Sequence, residues 1–334
     1  MKICEILAST GEGGLEKHTI DLCNGMAELG HDVHVIASDY FKDRFCEAVK
    51  VYPVNMQRSR HNIVLLYQLF TLLQGIRPDV IHAQANKATS LLARIKPLLR
   101  QPCIGTIHNK KSKPKMFQSM DAVIGVSQGA LSVVNNSKCR CIYNGVHAHQ
   151  AVSSVKALLD HRTERPIAIT IARLVEAKRV DVLIQAWRGI DADLVILGDG
   201  PLRVALEQQV DDLSLGDRIH FSGFVPNASH YLSDADVMII SSDREGFPYV
   251  MVEALIAHTP VISTNVDAAV EAIPESMRVM RGDSLKLNEK ITDFFTNRSN
   301  YTQDLDQVFD WASQELTVDN MVRSTISFLE EVQR

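Results

Sequence analysis

The chain has 334 residues, 46% of them hydrophobic and 22% charged, and a formal net charge of -5. This length excludes a peptide or a small disulfide-stabilised module and predicts two domains with separate cores. The composition excludes collagen-like and disordered chains and is typical of a folded, water-soluble protein. Residues 1–150 carry 18 Lys and Arg against 11 Asp and Glu, whereas the remainder carries 17 against 29. The two parts are therefore expected to contact different partners.

Short β-rich apolar runs alternate with amphipathic segments of helical length along the chain. This alternation is typical of parallel sheets that are covered by helices on both faces. In the first part it predicts strands at 2–8, 33–37, 50–54, 79–83, 103–108, 121–126 and 139–143. It predicts helices between them at 15–29, 62–75, 86–99 and 128–135.

A polar segment at 151–165, followed by Pro166, predicts an interdomain linker. Beyond it the pattern predicts strands at 167–172, 193–197, 218–221, 236–241, 260–263 and 277–280. Helices are predicted at 180–188, 201–213, 249–257 and 267–272, and two or three more within 284–332. The expected fold class is α/β, with two Rossmann-like doubly wound domains, 1–150 and 166–316, facing a central cleft. A final helix, 317–334, can pack back on the first domain.

The six cysteines lie in mostly apolar contexts without Cys-x-x-Cys spacing. Reduced core residues are therefore expected, and a disulfide framework or a zinc site is not. Glu5 interrupts the first apolar run, and the sequence has no run of about 18 uninterrupted apolar residues. We expect a cytoplasmic protein whose contact with the inner face of the cell membrane is at most peripheral.

The first candidate site is the loop after the first predicted strand. Gly13 and Gly14 open an amphipathic helix there. Glycines let the backbone approach a ligand, and the N–H groups at the start of a helix can bind an anion. The loop lacks Gly-x-Gly-x-x-Gly spacing, which disfavours a nicotinamide cofactor. A tight turn without a ligand is the alternative.

The second candidate lies between the predicted strand at 167–172 and the helix at 180–188. Arg173 and Lys178 place two cations there, at the carboxyl edge of a parallel strand. A guanidinium fork and an ammonium point charge suit a diphosphate. A solvated basic loop is the alternative.

The third candidate contains two acids at the start of an apolar helix. Pro248 stands where the first helical residue is expected, and Glu253 has three apolar residues on each side. A carboxylate in such surroundings needs polar partners, because burial without them costs several kcal/mol. Hydroxyl groups of a sugar or ribose would serve, and Glu245 can line the same pocket. The alternative is one acid in the first turn and another that faces solvent.

Five motifs, in this order and spacing, resemble those of the retaining glycosyltransferases of family 4, which have the GT-B fold. They are Gly13-Gly14-Leu15-Glu16, Arg173 with Lys178, Leu197-Gly198-Asp199-Gly200-Pro201, Phe221-Ser222-Gly223-Phe224-Val225, and Glu245 with Glu253. The resemblance covers nearly the whole chain and is strongest from 167 to 272. It implies that the first domain binds the acceptor and the second binds a nucleotide sugar.

The resemblance also assigns roles to individual residues. Arg173 and Lys178 would bind the donor diphosphate, and Glu253 would bind the ribose hydroxyls. The implied catalytic residues are Glu245, Arg173, Lys178 and His108. The implied donor-binding residues are Gly13, Gly14, Arg173, Lys178, Val225, Glu245, Gly246, Phe247, Pro248 and Glu253.

The transferred sugar would be bound by Glu245 and by the backbone of 246–248. The loop at Gly13 would close over the phosphates and the acceptor. Val225 would meet the nucleobase through its backbone, and His108 would lie near the donor sugar, although a histidine that ends a strand can be merely structural. No metal or other cofactor is implied. Asp267-Ala268-Ala269 replaces a pair of glycines near the donor pocket and leaves the identity of the donor open.

The expected function is transfer of a hexose from a nucleotide-diphosphate sugar, with a UDP-sugar favoured. The favoured acceptor is a lipopolysaccharide core or another lipid-linked surface glycan. Arg173, Lys178 and backbone amides would stabilise the leaving diphosphate in a front-face substitution. A nucleotide-sugar epimerase of the same fold and a non-catalytic sugar-binding module are the alternatives.

A basic stretch lies in the first part of the chain. Between Val80 and Met120 there is no acidic residue, whereas eight Lys and Arg are present, among them Lys110, Lys111, Lys113 and Lys115. Contact with an anionic membrane surface is expected from this charge. Nucleic acid is not expected as a partner, because aromatic residues for base stacking are nearly absent. A solvated basic face and a contact for an anionic glycan are the alternatives.

Overall fold

The computed structural model describes residues 1–11, 13–109, 115–147, 153–159 and 163–334. They form two compact units. The first consists of Met1–Gly145 together with Thr317–Arg334, and the second consists of Val146–Leu316. The predicted linker at 151–165 thus lies within the second unit, and the chain passes between the units at Gly145 and again at Leu316.

The first unit is built on a parallel sheet. Its strands are β1 Lys2–Leu7, β2 Asp32–Ala37, β3 Lys50–Pro53, β4 Val80–Gln84, β5 Cys103–Ile107, β6 Ala122–Gly125 and β7 Cys139–Cys141. Its first helices are α1 Gly14–Glu28, α2 Ile63–Ile76, α3 Ala85–Ile95, α4 Lys115–Gln118 and α5 Gln128–Leu131. The strands lie in the order β3-β2-β1-β4-β5-β6-β7.

The second unit is also built on a parallel sheet. Its strands are β8 Ile167–Ile171, β9 Asp193–Leu197, β10 Ile219–Gly223, β11 Val237–Ile240, β12 Val261–Thr264 and β13 Arg278–Val279, in the order β10-β9-β8-β11-β12-β13. Its helices are α6 Val180–Ala186, α7 Arg203–Asp212, α8 Tyr249–Ile256, α9 Asp267–Ala272, α10 Ser284–Thr296 and α11 Thr302–Glu315. The last helix, α12 Val318–Gln333, belongs to the first unit.

The strand order reverses at the same place in both sheets. In the first sheet β1 pairs with β2 on one side and with β4 on the other, and in the second sheet β8 pairs with β9 and β11. Ligands of doubly wound sheets bind beyond the carboxyl ends of the strands at such a reversal. The loops after β1 and β4, and those after β8 and β11, are therefore the places where binding residues are expected.

Burial explains why the central strands are mostly apolar. Every residue of β4, β5 and β9 is buried, since helices cover both faces of each sheet. On the first sheet, Ile3 and Leu7 belong to one hydrophobic core and Cys4 and Ile6 to another, so the two cores lie on opposite faces.

Helix α12 packs in the core that contains Ile3 and Leu7. Met321, Val322, Phe328 and Leu329 are buried in it. A Cβ atom at Gly25 of α1 would lie 2.6 Å from a methyl carbon of Val322, so glycine permits the close approach of α1 and α12. None of the helices in the described part of the chain has the length and apolar character that crossing a bilayer requires.

The fold class predicted from the sequence is confirmed, and each of the predicted strands is present within two residues of its predicted ends. Two helices end four residues earlier than predicted. Helix α3 ends at Ile95 and continues only as a 3₁₀ turn, because Pro97 has no N–H group to donate. Helix α5 ends at Leu131, ahead of the β-branched Val133 and Val134.

Candidate active site

In the first unit, a buried polar network lies at the reversal of the strand order. Glu5 of β1 and His82 of β4 are register partners and are both fully buried. The carboxylate of Glu5 accepts a hydrogen bond from Nδ1 of His82 at 2.7 Å and another from the amide nitrogen of Gln84 at 3.0 Å. Nε2 of His82 lies 2.6 Å from the hydroxyl oxygen of Thr106. Each oxygen of Glu5 thus has a partner, as a buried carboxylate requires.

The network ends at His108, the first residue after β5. Because the amide nitrogen of Gln84 faces Glu5, its Oε1 is the atom that faces Nε2 of His108, at 3.0 Å. Nε2 of His108 must therefore carry the hydrogen. Burial, with the nearby His18 and His82, lowers the pKa of His108 well below its usual value of 6.5, so the ring is neutral. Its Nδ1 then holds a lone pair and can accept a hydrogen bond.

A second histidine packs against this ring. His18 of α1 lies edge-on to His108 with ring centroids 4.7 Å apart, and its Nδ1 lies 3.0 Å from Oδ1 of Asn144. Burial lowers the pKa of His18 to about 3. Helix α1 begins at the predicted glycine loop: Gly13 is its N-cap residue, and both Gly13 and Gly14 are exposed.

A cavity of about 470 Å³ opens beside His108. It is lined by Leu15, Arg60, Ala85, Asn86, Lys87, His108 and Asn109. Ala85 follows β4 directly and has φ of 61°, a left-handed conformation that costs a residue with a Cβ atom about 1 kcal/mol or more. The strained residue and the cavity both lie at the carboxyl edge of the sheet.

In the second unit, Lys178 and Glu245 meet across the reversal of the strand order. Nζ of Lys178 donates to Oε1 of Glu245 at 2.5 Å, and the hydroxyl of Ser242 donates to the same oxygen at 2.7 Å. The loops that carry them are held together by Ser241, whose hydroxyl donates to the carbonyl of Lys178 at 2.8 Å. The sequence placed these two residues in separate motifs, and the structure brings their side chains into contact.

Arg173 is exposed on the loop that carries Lys178. The Gly-Asp-Gly-Pro motif supports this loop by close backbone contact. A Cβ atom at Gly200 would lie 2.4 Å from the carbonyl oxygen of Leu174, and one at Gly198 would lie 2.0 Å from that of Ala172. Gly198 also has φ of 137°, so both positions require glycine.

Arg179 was not singled out in the sequence, although it lies beside Lys178. It has φ of 49°, caps α6, and forms ion pairs with Asp181 at 3.1 Å and with Asp243 at 3.3 Å. It therefore also links the loop after β8 to the loop after β11.

The buried residues Glu5, His82 and Gln84 of the first unit were also missed by the sequence analysis. Polar residues inside otherwise apolar strands are a signal that could have found them.

Glu253 lies in the second turn of α8 and is half-buried. The sequence predicted a carboxylate enclosed by apolar neighbours, and the apolar residues beside it are indeed buried, but Glu253 itself reaches the surface. Pro248 is the N-cap residue with ψ of 132° and not the first helical residue, while α8 begins at Tyr249, where the predicted helix 249–257 begins. Gly246 and Phe247 are buried just before it.

Val225 is half-buried on the loop after β10. The preceding Gly223 has φ of 69°, and its carbonyl accepts a hydrogen bond from the backbone N–H of Gly198 at 2.7 Å. The loops after β9 and β10 are thereby connected. No group of three or more His, Cys, Asp or Glu side chains that could hold a metal ion occurs among the residues described.

Two family models match consecutive parts of the chain. Residues 12–150 match the model described as Glycosyltransferase Family 4, and residues 153–307 match the model described as Glycosyl transferases group 1. Arg173, Lys178, Glu245 and His108 lie inside these ranges, whereas Glu5 of the network in the first unit precedes them. The chain belongs to the family 4 glycosyltransferases, and it is a glycosyltransferase of group 1 with homologues in lipopolysaccharide-core and glycan biosynthesis.

Relatives of this family span most of the chain. The lipopolysaccharide core biosynthesis glycosyltransferase LpsE of Rhizobium meliloti is 26% identical, and the match covers 76% of each chain. The GalNAc-α-(1→4)-GalNAc-α-(1→3)-diNAcBac-PP-undecaprenol α-1,4-N-acetyl-D-galactosaminyltransferase of Campylobacter jejuni is also 26% identical, over 91% of each chain.

The fold is likewise found in solved structures. Anabaena HepE, in complex with UDP and glucose, superposes with a TM-score of 0.82 at 19% identity, covering 99% of this chain and 100% of that one. At this identity the likeness concerns the fold, and it confirms the predicted GT-B class.

Proposed function

We propose that the protein is a retaining hexosyltransferase that uses a UDP-sugar and extends a lipopolysaccharide core or another lipid-linked surface glycan. The contact between Lys178 and Glu245 is the observation that carries this proposal. A cation and an acid lie side by side where doubly wound sheets bind ligands, and they would contact the diphosphate and the sugar hydroxyls of a donor. The UDP and glucose in the HepE complex support the choice of donor. The names of LpsE and of the Campylobacter enzyme support the choice of acceptor.

The proposed reaction breaks the bond between the anomeric carbon and the diphosphate. The acceptor oxygen attacks from the face that the diphosphate leaves, and the departing phosphate takes the acceptor proton. Negative charge grows on the diphosphate as the bond breaks, so Arg173 and Lys178 would stabilise the transition state more than the bound donor. These cations would supply the charge that a metal provides in other enzymes, and no metal or other cofactor is proposed.

The remaining donor contacts follow from the positions of the loops. Glu245, oriented by Ser242, would accept hydrogen bonds from hydroxyls of the transferred sugar, beside the backbone of 246–248. Glu253 would accept hydrogen bonds from the ribose, and the backbone of Val225 would meet the base. In the first unit, the loop at Gly13 and Gly14 and the neutral ring of His108 would face the reacting sugar.

A panel of nucleotide sugars tests this proposal. The donor should raise the melting temperature of the protein, because binding to the folded state alone stabilises it. With a lipopolysaccharide-core acceptor, the product should keep the α configuration of the donor in its NMR spectrum. An inverted product would refute the retaining mechanism. Conversion of the nucleotide sugar without an acceptor would identify an epimerase, and binding without turnover would identify a sugar-binding module.

We also propose peripheral contact with an anionic membrane. Lys110, Lys111 and Lys113 of the predicted basic stretch lie outside the described residues, and Lys115 begins α4. Helix α2 presents an apolar surface in the same unit: it has no charged residue, and Ile63, Val64 and Tyr67 are 80%, 53% and 68% exposed. Arg94, a cation of the basic stretch, lies near the start of this helix, since its guanidinium is 3.0 Å from Nδ1 of His61. Apolar side chains beside cations are the combination that binds to lipid headgroups.

Sedimentation with phosphatidylcholine vesicles, with and without phosphatidylglycerol, tests the membrane contact. The variant Ile63→Ser/Tyr67→Ser should lose binding to the anionic vesicles. Val204→Ser should keep it, because Val204 is a similarly exposed apolar residue, at 78%, in the second unit. Equal sedimentation of all three proteins, or none by the unchanged protein at low salt, would refute the contact.

A further inference from the structure

The described residues of the first unit leave positive charge at the cavity beside His108 without an ion-pair partner. Lys87 is half-buried, and its Nζ donates to the carbonyl oxygen of Met56, which is a neutral partner. Arg60 lines the same cavity. Neither cation forms an ion pair within the described part of the chain, and the cavity lining contains no acid. Two unpaired cations at one cavity attract an anionic group.

Two of the residues that line the same cavity carry hydrogen-bond acceptors without a partner among the described residues. Oδ1 of Asn86 is buried and has no hydrogen-bond partner among the described residues. An unsatisfied buried oxygen of this kind costs free energy, which a donor on a ligand would recover. Nδ1 of His108 is the second acceptor, because its Nε2 hydrogen is directed at Gln84. Hydroxyl groups are the donors that suit both atoms.

The volume of the cavity and the backbone strain at Ala85 both support a ligand-binding site. About 470 Å³ is within the usual range for small-molecule sites and is ample for a monosaccharide unit with a charged substituent. Ala85, which also lines the cavity, has a left-handed conformation where the chain turns from β4 into α3, and Asn86 and Lys87 follow it in the cavity lining. Strained residues of this kind concentrate at binding sites.

We propose that this cavity binds a sugar residue that carries an oxyanion, a phosphate or a carboxylate, within the acceptor glycan. The oxyanion contacts Arg60 and Lys87, and hydroxyls of the same sugar donate to Asn86 and His108. This inference rests on the proposed transferase function and names the chemical class of its acceptor. It also explains why two cations are placed where a neutral sugar would need none.

Calorimetric titration without any donor tests the proposal. The probes are glucose 6-phosphate, glucuronate, glucose and inorganic phosphate, at low salt. At least one anionic sugar should bind about tenfold or more tightly than glucose and more tightly than inorganic phosphate. Equal affinity for charged and neutral sugars, or binding of phosphate as tight as that of the anionic sugars, would overturn the proposal.

A charge-matched pair of variants locates the site. Arg60→Gln/Lys87→Gln should lose the preference for the anionic sugar, whereas Arg100→Gln/Lys138→Gln, which changes two exposed cations of the same unit, should retain it. The affinity for UDP should be the same in both variants, which shows that the second unit is folded. Anionic-sugar binding that survives in the first variant would refute this location.

The two proposals can fail separately. If no nucleotide sugar supports transfer but the anionic sugar binds and depends on Arg60 and Lys87, the proposed function is wrong and the binding site is correct. If transfer occurs with neutral acceptors alone and no anionic sugar binds, the transferase function is correct and this inference is wrong.

Discussion

Oε1 of Gln84 accepts a hydrogen bond from Nε2 of His108 at 3.0 Å. The amide nitrogen of the same glutamine is occupied by the buried Glu5, so the orientation of the amide is fixed and only one tautomer of His108 fits. A carboxylate in β1 thus determines, through Gln84, which ring nitrogen His108 presents after β5. Gln84 is a positioning residue in this arrangement.

Gln84→Leu should remove the hydrogen bond that fixes the tautomer of His108. We expect a mixed tautomer of His108 and a turnover lower by about tenfold or more, with little change in donor affinity. The ¹⁵N chemical shifts of the His108 ring report the tautomer directly. Gln68→Leu on the exposed side of α2 is the control. Unaltered His108 ring shifts in the Gln84 variant would show that Gln84 is only structural.

Lys178→Ala should lower turnover by about 100-fold and weaken donor binding much less, because the diphosphate gains charge only as the sugar bond breaks. Steady-state kinetics and UDP-sugar calorimetry separate the two effects. Lys286→Ala provides the comparison, since Lys286 forms an exposed pair with Glu289 at 2.6 Å. A rise in KM at constant kcat would mean that Lys178 merely holds the donor.

Glu253→Gln should weaken UDP binding by about 10- to 100-fold, because a charge-assisted hydrogen bond to the ribose is replaced by a neutral one. Calorimetry with UDP measures this change, and circular dichroism verifies the fold. Glu164→Gln alters an exposed acid of the same unit and should have no effect. Identical UDP affinity in the two variants would exclude Glu253 from the ribose site.

Gly200→Ala should destabilise the second unit by about 1 to 3 kcal/mol and also weaken donor binding, since the added Cβ atom collides with the carbonyl of Leu174. The loop that carries Arg173 would have to move. Gly216→Ala is the matched control, because nothing lies within 4 Å of a Cβ atom there. Denaturant unfolding compares the two variants, and equal midpoints would contradict a tight contact at Gly200.

The stability of the first unit should fall in mild acid because of His18. Its pKa is lowered to about 3 in the folded protein, whereas an unfolded histidine titrates near 6.5. Below about pH 6.5 the unfolded chain therefore binds a proton that the folded chain does not, and stability is lost as the pH falls.

His18→Gln should remove the contribution of His18 to the pH dependence of stability. The difference in unfolding free energy between the unchanged protein and the variant should shrink by up to about 1.4 kcal/mol for each pH unit below about 6. Denaturant unfolding at several pH values, followed by far-ultraviolet circular dichroism, measures it. A difference that stays constant from about pH 7 to about pH 5 would show that His18 is protonated in the folded protein.

The sequence predicted the strands well because burial on both faces makes them continuous apolar runs, as in β9 and β11. It also located Arg173, Lys178 and Glu245, since each follows such a run. Their assignment to one site required the resemblance to a family and the strand order, because hydrophobic patterns do not tell which strands are neighbours.

The sequence analysis missed residues whose contacts depend on the pairing of distant strands. Glu5 and His82 are 77 positions apart and meet only because β1 and β4 are adjacent in register. The pairing of Arg179 with Asp243 depends in the same way on β8 lying beside β11. The predicted end of α3 was wrong for a different, local reason. The amphipathic pattern continues to residue 99, but Pro97 ends the α-helix before it.

The return of α12 to the first unit has a consequence for the order of events during synthesis. Gly145 lies against the backbone of Thr317, where a Cβ atom would come within 2.2 Å of the carbonyl oxygen, and Met321 and Leu329 complete the core around Ile3. At about 5 to 20 residues per second, the ribosome needs roughly 10 to 40 s to proceed from Gly145 to Gln333. Throughout this interval the nascent first unit exposes the apolar side of α1, and the whole second unit is synthesised before α12 is available to cover it.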